Sequence, residues 1–403
     1  MVLTYEQALA VVQERISAAN PKPPIETLPL GQAPGRVLAE DVTADRDLPP
    51  FHRAIRDGYA LRAADLTTLP ALLRCVGEVP AGRSFEAEVG PGQCVSIMTG
   101  APLPAGADAV VMVEHTRSMG DDIEIQRSVR PWENVVLKGS EATLGTRILP
   151  RGSRLQAGEI GLLAAVGKAT VAVHRHPRVA ILPTGDEVVP VEQRPLWFQI
   201  RNSNAVTLAA QVTAAGGAPA QLGIAADRKD VLREMIERGL KSDLLLLSGG
   251  VSMGKFDLVE EVMAELGAEF FFQGVAIRPG KPLVFGRVGD LHFFGLPGNP
   301  VSTFVTFELF VRPALALLGG AGFEPPVFLR ARLVKPWRQK TGLTTFMPAR
   351  VWAQNGDPVV ELVGWQGSGD LVGIAAANCF LVIHPGQIEL AAGDWVDVMP
   401  KER

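Results

Sequence analysis

The sequence predicts a multidomain α/β protein organised around a doubly wound parallel sheet, and three observations carry that expectation. β and α signals alternate from residue 177 to 320, a run of four leucines at 244–247 reads as a strand covered on both faces, and the flanking regions change to short apolar runs separated by Gly and Pro. A length of 403 residues exceeds what a single hydrophobic core organises, so several domains follow.

In chain order, residues 4–19 set Ala8, Val11, Val12 and Ile16 near one helical face, with Thr4 as N-cap. The Pro-rich stretch 21–34 ends that helix and reads as an extended arm. Residues 47–139 read as a small β-rich domain. Residues 140–176 are expected to pack back against the N-terminal helix, which makes 1–46 and 140–176 one discontinuous domain. Within the α/β domain, 177–322, the expected elements are strand 178–182, helix 204–215, strand 219–224, helix 228–240, strand 244–247, helix 255–266, strands near Phe270 and Leu283, strand 292–296 and helix 299–318. Residues 323–403 alternate apolar and polar positions without helical period, as a small C-terminal β-barrel would.

Composition narrows the function. A net charge of −4 and a pI near 6.0 argue against nucleic acid or an anionic membrane surface as partner, since both need a broad basic face. Cys75, Cys94 and Cys379 lack the spacing of a disulfide framework or zinc site. No signal peptide and no apolar run near ~20 residues is read, so a cytoplasmic location is expected. His174 and His176, beside Pro177, are expected at the surface.

Three loops follow expected strands: Thr184-Gly185-Asp186-Glu187, Ser248-Gly249-Gly250-Val251-Ser252, and Pro297-Gly298-Asn299. Ligands of doubly wound sheets sit at the carboxyl ends of the strands, so these loops should meet at one crevice. Their glycines let backbone N–H groups approach an anion, and a helix opening at Asn299 adds its positive end. Neither a Walker A pattern nor GxGxxG occurs. Arg278, Lys281 and Pro282 put rigidly held cations nearby, suited to a fixed oxyanion. Asp186, Glu187 and Asp257 offer carboxylate oxygens for Mg²⁺ beside a phosphate.

These residues, with Asp57-Gly58-Tyr59-Ala60, Ile97-Met98-Thr99-Gly100-Ala101-Pro102 and Gly106 to Val111, recur in order in a known family. The chain resembles the molybdopterin molybdenumtransferases of the MoeA type and the gephyrin E domain. The resemblance implies a central MogA-like α/β domain with a small β-rich domain, a discontinuous elongated α+β domain and a C-terminal β-barrel. It also implies a homodimer in which the small β domain of one subunit faces the α/β domain of the other. The implied reaction inserts molybdenum from molybdate into adenylylated molybdopterin and releases AMP with divalent-cation help. An adenylyltransferase would supply the substrate, and apo-molybdoenzymes or chaperones would receive the product.

Carried over residue by residue, the resemblance assigns catalytic roles to Asp57, Thr99, Glu187 and Asp257, with Glu187 and Asp257 holding the metal. It assigns substrate binding to Glu141, Asp186, Ser248, Gly249, Gly250, Ser252, Arg278, Lys281, Pro282, Pro297, Gly298, Asn299 and Arg350. The chain departs from the family pattern before Asp57, where Asp, then Asn or Arg, then Ser-Ala-Met is usual and His52-Arg53-Ala54-Ile55-Arg56 stands instead, at Gly274 in place of a frequent lysine, and at Gly373 in place of a serine. The rival reading is a paralogue weakened in catalysis that carries the pterin or serves as an interaction scaffold.

Overall fold

The protein is described from a computed structural model, over residues 2–19, 21–250, 258–338 and 342–401. It divides into two compact units, one of residues 1–39, 152–156 and 171–403, the other of residues 40–151 and 157–170.

The first unit holds the α/β sheet. Its strands are β1 (Arg178–Pro183), β2 (Ala218–Gln221), β3 (Leu244–Ser248), β4 (Glu269–Phe272), β5 (Val284–Val288) and β6 (Leu291–Leu296), in the order β2-β1-β3-β6-β5-β4. The first four strands in this order are parallel, as expected. Only β5 is reversed: it runs antiparallel to both β6 and β4, so the edge strand β4 keeps the direction of the first four. The cause is local. Only Gly289 and Asp290 separate β5 from β6, and Gly289 adopts φ +56°, so the chain must reverse as a hairpin and not cross over.

Alternate residues of β1 and β3 feed opposite cores. Val179, Ile181, Leu244 and Leu246 face one cluster, and Ala180, Leu182, Leu245 and Leu247 face the other. All are fully buried, at about 2 kcal/mol for each leucine. Helix α1 (Tyr5–Ala18) contributes Tyr5, Ala8, Val12 and Ile16 to the first cluster. Thr4 caps it as expected, through a capping box with Gln7. The helix packs against the last helix of the α/β domain, Arg312–Leu318; what pairs with the later segment is instead the arm, Ile25–Pro29, against Thr170–His174.

Helices α2 (Ser203–Ala214), α3 (Lys229–Gly239) and α4 (Leu258–Glu265) complete the two layers. The long helix expected at 299–318 is a continuous run, α-helical over Pro300–Thr306, π-helical over Phe307–Val311 and α-helical again over Arg312–Leu318. It is long and apolar enough to cross a membrane, contrary to the expectation that no such run exists, yet 78% of that apolar window is buried inside the protein. Glu308 within it pairs with Arg312 at 2.6 Å and accepts from Gln211 at 2.8 Å, so its buried charge is matched.

The C-terminal region closes a five-stranded barrel from β7 (Leu329–Leu333), β8 (Thr344–Gln354), β9 (Asp357–Leu362), β10 (Cys379–Ile383) and β11 (Trp395–Pro400), in the order β8-β9-β7-β11-β10 and back to β8. Asn355-Gly356, both at positive φ, turns β8 into β9. The second unit carries a six-stranded sheet whose interior strands include Gly58–Leu61 and Gln93–Ile97, paired antiparallel.

His174 is corrected by the structure. It ends the strand Thr170–His174, is only 3% exposed, and its ring lies where a Cβ on Gly320 would stand, so it is a packed core residue.

Candidate functional site

The three strand-end loops converge. Thr184 N–H donates to Ser248 carbonyl oxygen at 2.9 Å, and Gly249 N–H to Leu296 carbonyl oxygen at 3.2 Å, so the loops after β1, β3 and β6 are laced together by backbone. They line a crevice of ≈ 310 Å³ that includes Glu187, Ser248, Gly249, Gly250, Pro282, Pro297, Gly298 and Asn299.

Glycine is required here by close approach. A Cβ on Gly249 would stand 2.7 Å from Thr184 carbonyl oxygen, and one on Gly250 2.7 Å from Val259 Cγ2, while both residues sit at positive φ, +94° and +62°. The N-termini of two helices also reach the crevice, that of α2 through Asn202, Ser203 and Asn204 and that of the Pro300 helix through Asn299 and Pro300.

Among the lining residues that the sequence reading did not name for the site are Asn204 and Asp227. Asn204 Nδ2 donates to Ser248 Oγ at 2.9 Å and to Gly298 carbonyl oxygen at 2.8 Å, bridging two loops. Asp227 N–H donates to Asp186 Oδ1 at 3.0 Å, and partial burial, then the charges of Asp186 and Glu187, push the Asp227 carboxyl above its ordinary range. The only available signal was position, since each residue lies just before or within the first turn of a helix that follows a strand.

Other expected members lie elsewhere. Arg278 and Lys281 are exposed and do not line this crevice, although Pro282 does. Arg278 belongs to the short strand Ile277–Arg278, which pairs with Thr344–Thr345 of the barrel. Arg350 lies on β8 in a separate hollow of ≈ 440 Å³ with Trp352, Glu361 and Asn378. Ser252 and Asp257 fall outside the described residues. Among the described residues, no three carboxylate, imidazole or thiol groups gather as a metal site.

In the second unit, Asp57 Oδ1 accepts from Thr99 N–H at 2.6 Å and from Thr99 Oγ1 at 2.8 Å. Those two bonds hold the Asp57 carboxyl below the usual carboxylate range, so it is a fixed anion. Glu141 lies 3.8 Å from Arg53, both largely exposed. The departures also have local reasons. Leu3 N–H donates to Gly274 carbonyl oxygen, and a Cβ at Gly274 would press Val2 at 3.3 Å. Gly373 N–H donates to the capping Asp370 at 2.9 Å, and a Cβ there would stand 3.3 Å from Gly364 carbonyl oxygen.

Comparison with known proteins agrees along the whole chain. Residues 3–167 match the MoeA N-terminal region (domains I and II), 180–317 the probable molybdopterin binding domain, and 330–401 the MoeA C-terminal region (domain IV). The molybdopterin molybdenumtransferase of Bacillus subtilis (strain 168) is 36% identical over 373 residues, covering 90% of this chain and 87% of its own. That of Nostoc sp. is 37% identical over 385 residues, covering 93% and 88%. A crystal structure of the molybdopterin biosynthesis MoeA protein from Pyrococcus horikoshii OT3 superposes with a TM-score of 0.82 at 31% identity, covering 99% of this chain and 100% of its own. With three family regions matched in order around one laced crevice, the chain belongs to the MoeA family of molybdopterin molybdenumtransferases.

Proposed function

We propose that this protein is a molybdopterin molybdenumtransferase, inserting molybdenum from molybdate into adenylylated molybdopterin and releasing AMP. The observation that supports it best is the laced crevice at the carboxyl ends of β1, β3 and β6, lined by glycine backbone, two helix N-termini and carboxylates, a lining suited to a phosphate with a cation beside it.

The crevice loops bind the phosphate-bearing part of the substrate. Ser248 and Asn204 orient it, and the N–H of Gly250 stabilises charge as the phosphoanhydride opens, while Gly249 keeps the loop close through its bond to Leu296. Glu187, Asp227 and Asp257 are the candidate holders of a divalent cation such as Mg²⁺, which would neutralise phosphate charge. The donor chemistry fits: burial first, then the charges of Asp186 and Glu187, push the Asp227 carboxyl up, and a bound cation would relieve that repulsion. Arg278, Lys281 and Arg350 are the candidate cations for molybdate, and Glu141 a further contact to substrate. Asp57, kept ionised by Thr99, orients the attacking or leaving group. In a homodimer the β-rich unit of one subunit would present Asp57 to the crevice of the other. An adenylyltransferase would supply the substrate, apo-molybdoenzymes or chaperones would take the product, and the cytoplasm is the expected compartment.

Purified protein given Mg²⁺, molybdate and adenylylated molybdopterin should release AMP. Folded protein that retains the pterin without releasing AMP would support the carrier or scaffold reading instead.

A further inference from the structure

Cys75 and Cys94 stand far apart in the chain, yet the second unit sets them opposite each other. They occupy neighbouring strands of its six-stranded sheet, Ala71–Val79 and Gln93–Ile97, which pair in parallel with Cys75 directly across from Cys94. Both side chains turn to the same face. Cys94 is fully buried in the cluster that holds Leu61, Leu73, Val111 and Ile123, and the half-buried Cys75 packs against that cluster. The thiols meet: that of Cys94 hydrogen-bonds to the Cys75 sulfur, and Cys75 Sγ donates to Gly77 carbonyl oxygen at 3.5 Å.

Strand spacing decides whether such a pair can be bridged. Neighbouring strands lie about 4.8 Å apart, so directly opposed Cα atoms fall inside the span of about 4.4–6.8 Å that a disulfide accepts. The sheet also has give at this point, because its register shifts between Cys75 and Glu78. A bulge of that kind bends and twists its strand, which lets Cys75 move towards Cys94 without breaking a regular ladder. Cys379 offers a contrast. It is fully buried in the barrel, and the residues across from it are Ala349 and Pro400.

The pair is asymmetric, and the asymmetry sets an order of events. Solvent reaches Cys75 but not Cys94. Burial, then the charge and hydrogen bond of Cys75, pushes the Cys94 thiol up to about 12, so Cys94 keeps its proton beside a charged neighbour. Oxidation of Cys75 removes that charge, which eases the loss of the Cys94 proton.

We propose that Cys75 and Cys94 form a redox-active dithiol, closed to an intrachain disulfide by a peroxide and reopened by small thiols. The Cys75 thiolate, its proton lost to solvent, attacks one peroxide oxygen; the O–O bond breaks, hydroxide leaves, and Cys75 becomes a sulfenic acid. The Cys94 sulfur then attacks the Cys75 sulfur, the S–O bond breaks, and the departing hydroxide takes up the Cys94 proton as water. In sum two thiols lose two electrons and the peroxide is reduced to two waters. A small thiol reopens the bridge by attack at Cys75, the sulfur within reach. The strand of Cys94 runs on towards Thr99, which holds Asp57, so the bridge would lie in the sheet that supports that pair. None of this rests on the reaction proposed above.

The test oxidises the folded full chain with hydrogen peroxide, denatures it, alkylates the remaining thiols and maps the peptides by mass spectrometry. A linked Cys75–Cys94 pair with Cys379 alkylated is expected, and dithiothreitol should restore all three thiols. Cys94→Ala should instead accumulate a sulfenic acid at Cys75 that dimedone traps, and Cys75→Ala should slow thiol loss to peroxide about tenfold. A parent whose Cys75 and Cys94 both remain alkylatable overturns the dithiol. So does a parent in which Cys75 proceeds to sulfinic acid while Cys94 stays free, or in which Cys75 joins a second chain. A Cys75–Cys94 link that forms only in urea overturns it too, because the fold would then not be what brings the sulfurs together.

Discussion

The α/β crevice and the β-rich unit both offer an acid at the end of a strand, yet they hold it by opposite means. In the crevice, position comes from topology: three loops leave one edge of one sheet, and backbone bonds between Thr184, Ser248, Gly249 and Leu296 draw them together. Glu187 reaches inward over Gly185, whose hypothetical Cβ would lie 2.6 Å from the Glu187 carboxylate. In the β-rich unit, position comes from one side chain gripping another, Thr99 on Asp57. A laced crevice should therefore fail by steric damage, and the Asp57 clasp by chemical deletion.

That contrast can be broken or sharpened by substitution. The largest effect is expected where the β-rich unit does depend on sterics: a Cβ at Gly58 would stand 1.9 Å from Val111 carbonyl oxygen in a central strand pair. Gly58→Ala should cost about 3 kcal/mol in denaturant unfolding. Gly249→Ala should cost about 2 kcal/mol, from its positive φ and the Thr184 carbonyl, and should abolish AMP release before it lowers the melting point greatly.

Thr99→Val deletes the hydroxyl but keeps the N–H. It should lower AMP release about tenfold and move the acid limb of the rate profile up towards the ordinary carboxylate range. The sign follows from Asp57 being depressed in the folded state: its contribution is present above the unfolded value of 3.8 and is lost as pH falls through the lower folded value.

Asp227→Asn works the other way. Because its folded carboxyl is raised, stability is lost as pH rises through that value, so the variant should melt slightly higher at neutral pH and show weaker Mg²⁺ dependence in AMP release. The smallest effect is expected at Trp197, 95% exposed at the tip of the turn Leu196 to Gln199: Trp197→Ala should leave stability within about 0.5 kcal/mol.

The sequence made the α/β domain legible because its signals are local: apolar runs for buried strands, and a glycine-bearing turn after β1, β3 and β6. The reversed strand β5 was not, since nothing in Gly289-Asp290 was weighed as a hairpin. His174 was misplaced because proximity to Pro177 says nothing about what folds over it. Asp227 and Asn204 stayed hidden for a different reason: they lie far along the chain from the loops they join, and convergence in space leaves no mark in spacing. The loops themselves were visible, but their lacing was not.

The leucine strand has one more consequence. Leu244 to Leu247 would look the same to both cores if β3 slid by one residue, so greasy contacts alone cannot choose its alignment. The choice falls to the polar residues at its two ends. Asp243 accepts from Arg178 N–H at 2.7 Å and from Arg175 at 2.9 Å at one end, and Ser248 is held by Asn204 at the other. Chemistry at the mouth of the crevice and the threading of the sheet thus share a residue, and evolution could not retune Ser248 for a new ligand without also renegotiating how the strand is seated.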